Sequence, residues 1–234
     1  MNMYSEIVLL VIGAMLCTLS VVLSGYTYVQ KGPTCGFYAL VYGISRVIPV
    51  RKNKMVKKII TESIDSGISQ IGEIFDIRVM LALAQKYFPK ADVRLISINA
   101  ISDIDAALKD GFVIMPGILY QGMPHYYFLE GSEASEYICR HGDFSKKIMV
   151  EKEQMYLRHT ELSTLKYFNW GSYLKRSNNR RIKDKIGTML LHPGLQIKLK
   201  KIENQKADQL KGRQSKLNMY KKAVLIINDT CCNK

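Results

Sequence analysis

The stretch FYALVYGISRVI, residues 37–48, is apolar at nearly every position. A surface helix needs one apolar stripe, whereas a helix that is apolar all round must be enclosed by other elements. The chain is therefore expected to wrap a central helix. Gly36, Ala39 and Gly43 would let neighbours approach it closely, and Pro49 would end it. With 234 residues and 47% hydrophobic content, the chain can supply the core that such a helix requires.

The pattern around this helix divides into two kinds. RKNKMVKKIITESIDSGISQIG reads as a basic amphipathic helix, and EIFDIRVMLALAQKYFP as a second helix. The second would turn Ile74, Ile77, Leu81, Ala84 and Phe88 to one face and stop at Pro89. ADVRLISI then reads as a strand, and SDIDAALKDG as a short helix capped by Ser102 and closed by Gly111. FVIMPGIL, HYYFLEG and EYICRHGD read as strands, the last two as a hairpin across GSEAS. A helical half followed by an antiparallel half predicts the α+β class. The remainder reads as helix again: EKEQMYLRHTELSTLKYFNWGSYLKR, then LQIKLKKIENQKADQLKGRQSKLNMYKKAVLII as one long helix weakened at Gly212.

Charge is distributed unevenly. Of the formal +14, most falls between Gly171 and Lys222, where fifteen Lys/Arg face three acids. Such a run fits a solvated helical face, an anionic membrane surface or an acidic partner. Aromatic residues are scarce there, which argues against a stacking platform for nucleic acid. Ile7 to Gln30 carries no charge, and the run from Ile7 to Leu23 is long enough for a membrane span, which takes about 20 residues. The basic residues that follow would place the main domain on the cytosolic side. A buried core helix is the alternative. The five cysteines (17, 35, 139, 231 and 232) form neither a CxxC pair nor a zinc spacing. No metal and no cofactor is expected, and the thiols read as reduced.

Chemistry concentrates in YVQKGPTCGFYAL, residues 28–40. Cys35 stands where a loop becomes a helix, a position at which free amides and the helix dipole favour a thiolate. Gly32 and Pro33 suit a tight turn, Gly36 leaves room beside the sulfur, and Gln30 can donate its amide to an oxyanion. A nucleophilic thiol also needs a base. Of the histidines at 125, 141, 159 and 192, His125 opens a strand, and Asp143 would close its hairpin partner and hold the imidazole tautomer. His141 is a competing base, and Glu130 and Asn169 are alternatives to Asp143. His159 and His192 read as surface residues on helices, Cys139 as core. A lone cysteine at a helix start is by itself most often a buried filler.

Q-x-GPTCG-x-YAL, followed by H-Y-x-x-L-x-G, resembles the papain-like cysteine peptidases, in particular the group with the bacteriocin-leader peptidases and the actin maturation protease. ALKDGFVIMPGI resembles the helix and strand that lead to the family's histidine. The resemblance covers residues 28–145. It implies a papain-like fold, with the nucleophile helix packed on a small antiparallel sheet. It also implies Cys35 as nucleophile, His125 as general base, Asp143 as orienting acid and Gln30 as oxyanion donor. The organisation expected is an apolar segment at 1–27, a catalytic domain at 28–170 and a basic helical region at 171–234. The activity implied is cleavage of a protein or peptide amide, for a cytosol-facing or membrane-anchored enzyme or an effector secreted into a host cell. The alternatives are acyl transfer or glutamine deamidation on the same scaffold, or an inactive membrane-associated binding protein.

Overall fold

The computed structural model describes residues 33–119, 122–178 and 193–228. The apolar segment 7–24, Gln30 and His192 lie outside the described residues. None of the described helices is long and apolar enough to cross a membrane.

Helix α1 (Cys35–Ile44) is the enclosed helix that its sequence demands, with all ten residues buried. Helix α2 (Lys52–Asp65) lays Val56, Ile59, Ile60 and Ile64 against it and leaves Lys54, Lys57 and Lys58 in solvent. Helix α3 (Ile77–Tyr87) begins later than the pattern predicts, because the Asp76 carboxylate caps it by accepting the Arg78 amide at 2.9 Å. Strand β1 (Val93–Ser97) follows, then α4 (Ile101–Asp110). Helix α4 starts before Ser102, and its Asp103 carboxylate takes the amides of Asn99 at 2.7 Å and Ala100 at 3.1 Å.

Strands β2 (Gly111–Leu119), β3 (Met123–Glu133), β4 (Glu136–Arg140) and β5 (Ile148–Glu151) form an antiparallel meander. Beyond it lie α5 (Lys152–Thr160), a 3-10 turn (Glu161–Ser163), β6 (Tyr167–Asn169), α6 (Trp170–Asn178), α7 (Pro193–Leu210), β7 (Gln214–Lys216) and β8 (Lys222–Ile227). The main sheet has six strands in the order β1-β8-β2-β3-β4-β5. Mixed helix with an antiparallel sheet is the predicted α+β class.

Both faces of this sheet are covered, which accounts for strands without polar alternation. Tyr126 and Phe128 of β3 face the layer of α1, α2 and α3, while Tyr127 and Leu129 face the layer of α4 and α5.

The C-terminal third differs from its helical reading. The first predicted helix breaks at residues 160–169, where the Thr160 and Thr164 hydroxyls donate to the carbonyls of Leu157 and Glu161 and β6 follows. The second stops at Leu210, and β-branched AVLII becomes a strand between β1 and β2 instead. Ala223, Val224, Leu225 and Ile226 are all buried, so the sheet is completed by residues beyond 171. His159, read as a surface histidine, is fully buried, with Nδ1 2.8 Å from the Pro116 carbonyl.

Candidate active site

Cys35 is the first residue of α1, and His125 lies near the start of β3, paired with Gly117 of β2. Both line one cavity of about 300 Å³ at the end of the sheet. The Cys35 sulfur meets β3 at the following residue: the backbone N–H of Tyr126 reaches it, as do those of Gly36 and Cys35 itself. A glycine at 36 makes this approach feasible. A Cβ there would lie 3.1 Å from the Tyr126 ring and from Ile74 Cδ1, tighter than ordinary packing.

The imidazole arrives from the other side of the strand. By alternation His125 shares a face with Tyr127, and its ring stands edge-on to Tyr127 and to His141, each 5.1 Å away between centroids. Its Nε2 is buried and has no hydrogen-bond partner among the described residues. The thiol's own donor contact is to the Pro33 carbonyl, at 4.0 Å.

These surroundings reverse the expected thiol chemistry. Burial pushes the Cys35 thiol up to about 11, against the pull of the three backbone amides. Burial, with smaller contributions from His141 and Arg158, pushes His125 down to about 3. The resting site therefore holds a neutral thiol and a neutral imidazole. The helix terminus favours the thiolate, and desolvation outweighs it.

Asp143 follows β4 but does not meet the imidazole. Continuing the β3–β4 register past Phe128↔Arg140 would set it opposite His125, yet pairing ends at that step. Gly142 turns the chain with φ at +67°, and Phe144 enters the core against Tyr38 and Tyr42. The Asp143 carboxylate instead accepts the Ser145 amide at 3.0 Å and its hydroxyl at 2.6 Å. The alternatives are engaged elsewhere. Glu130 pairs with Arg140 at 3.0 Å, and Asn169 accepts the Ser172 amide at 2.9 Å. His141 does line the cavity.

The remaining walls were not foreseen from sequence. Phe75 and Glu73 come from the loop before α3, and Phe168, Tyr173 and Met219 from the C-terminal third. Glu73 is buried, and its carboxylate accepts from the Ser69 hydroxyl and from the amides of Gln70 and Ile71 at 2.7–2.9 Å. Burial raises its pKa despite these donors. No group of His, Cys, Asp and Glu able to hold a metal occurs among the described residues.

Fold and site together define a mixed helix-and-sheet domain in which a helix-start cysteine and a strand-start histidine share one cavity. Residues 26–116 match the family of the actin maturation protease-like C-terminal domain, the group to which the QKGPTCG motif points. That match includes Cys35 and ends before His125. No curated protein and no solved structure matches the chain.

Proposed function

We propose that the chain is a papain-like cysteine peptidase that cleaves a protein or peptide amide bond. One observation carries this reading: Cys35 and His125 line the same cavity, in a chain whose nucleophile segment matches a protease-like family.

The neutral resting pair dictates the order of proton movement. As the sulfur attacks the amide carbonyl, His125 Nε2 takes the thiol proton, so no standing ion pair is needed. The backbone N–H of Cys35 and the Gln30 side-chain amide would donate to the developing oxyanion. The imidazolium then protonates the leaving amine as the C–N bond breaks, leaving a thioester on Cys35. Water gives a proton to the same imidazole and adds to the thioester. The acid product departs, and the sulfur recovers its proton. Asp143 takes the orienting role in this scheme once its carboxylate exchanges Ser145 for the imidazole.

Location at an anionic membrane, through residues 7–24 and the basic residues 171–222, belongs to the same proposal and is read by flotation with anionic vesicles. The activity is tested by incubating candidate protein substrates with wild type and Cys35→Ala, followed by intact mass. Chain cleavage by wild type alone is expected. Equal cleavage by both overturns the reading, as does a Cys35-dependent change of side-chain mass without a cut.

A further inference from the structure

Walls built by residues well beyond the family match give the cavity a chemical character of its own. The rings of Phe75 and Phe168 lie 4.6 Å apart, and Phe168 and Tyr173 lie 5.8 Å apart. Met123 packs with these rings, and Met219 also lines the cavity. Phe168, Tyr173 and Met219 are at most 5% exposed, so the wall is held by the packing behind it. Three of these five residues come from β6, α6 and the β7–β8 connection, all beyond residue 116.

We infer that this aromatic and thioether wall selects a peptide substrate by one large apolar side chain flanking the scissile amide. The inference rests on Cys35 being the attacking group, which fixes the cavity as the place where the substrate lies. A volume of about 300 Å³ accommodates one such side chain with its adjoining backbone.

The described polar neighbours do not offer a competing recognition chemistry. Among the described residues Glu73 is the one acid in the lining, and its oxygens already accept from Ser69, Gln70 and Ile71. The two lining imidazoles, His125 and His141, are held neutral by burial. A charged substrate side chain would lose its hydration here without gaining an unengaged counter-charge from the described residues. An apolar one would leave water for a surface of rings and methionines.

Binding to the Cys35→Ala protein tests the wall without requiring turnover. Blocked tripeptides Gly-X-Gly, with X as Leu, Phe, Lys, Asp or Gly, are titrated and followed by Trp170 emission. Trp170 is the chain's single tryptophan, and its ring stands 4.9 Å from that of Phe168. Leu and Phe are expected to bind at least about ten-fold tighter than Gly and Asp. Met123→Glu, made in the Cys35→Ala protein and checked for a native melt, is expected to lose that preference and to bind the Lys peptide about five-fold better. If this variant does not fold, Met123→Gln is expected to reduce the Leu and Phe preference alone. A flat profile, a wild-type-like profile in the folded Met123 variant, or a preference for Lys with Met123 intact overturns the inference. Apolar selectivity without cleavage by the wild-type enzyme would sink the peptidase reading and leave the wall's selectivity standing.

Discussion

Helix α1 brings Cys35 to the cavity with every residue buried, so its position is fixed by packing on all sides. The β3–β4 hairpin and the residues just after it bring His125 and His141 to the same cavity, but the pairing ends at Phe128 and Arg140 and Asp143 is left outside the lining. Beyond that pair a glycine turn directs the chain, and the Asp143 carboxylate is held by Ser145. Cys35 is thus placed by the core, and the groups proposed to serve it by a hairpin and the turn that ends it. A rigidly packed Cys35 and a less constrained turn at residues 141–145 can be perturbed separately, which makes the difference open to experiment.

The largest perturbation concerns what both regions share. Val224 of β8 is fully buried between the layers, and Val224→Asp places an unpaired carboxylate there. A loss of roughly 4 kcal/mol or more is expected, enough to unfold a marginal domain. Circular dichroism melts read it, and an unchanged melting temperature would show that the C-terminal strand is dispensable to both regions.

The hairpin can be loosened alone. Glu130 holds Arg140 at 3.0 Å, and Arg140 in turn donates to the Phe144 carbonyl at 2.7 Å, bracing the turn that carries His141 and Asp143. Glu130→Ala leaves a buried guanidinium without its carboxylate, at a cost of about 3 kcal/mol. Hydrogen exchange should rise at residues 141–145 while the amides of α1 stay protected. Equal loosening of α1 would break the contrast between the two regions.

Acid should act mainly through the histidines. Burial depresses His125, His141 and His159 below the ordinary value, so below about pH 6.5 the unfolded chain binds protons that the folded chain refuses. Stability is present above that value and falls as pH drops toward the folded pKa values. For His125 alone the loss between about pH 7 and about pH 5 amounts to about 2 kcal/mol. His125→Gln should show a correspondingly shallower decline in melting temperature, and an identical slope would contradict its burial as a neutral ring.

The same contrast explains what sequence could reveal. The helix that carries Cys35 was legible because its determinants are local: an all-apolar helix, glycines for close approach and a cysteine at its start. The β3–β4 hairpin was legible from alternating runs and a turn. The C-terminal third was not. Lys-rich stretches have high helix propensity, and residues 223–227 become a strand only because β1 and β2 leave a place between them. For the same reason Phe168, Tyr173 and Met219 gave no signal as cavity walls. The helix start that favours a thiolate at Cys35 is visible in sequence, whereas the desolvation that overrides it depends on the whole fold.

The joint action of Cys35 and His125 is tested most directly by covalent capture. A peptidyl acyloxymethyl ketone bearing Leu is incubated with wild type and with folded His125→Ala, and the labelled residue is mapped by tryptic mass spectrometry. The account predicts a single adduct on Cys35 in wild type and at least about a hundred-fold slower labelling without the imidazole. Equal labelling rates in the two proteins, or an adduct on another cysteine with Cys35 untouched, would contradict it.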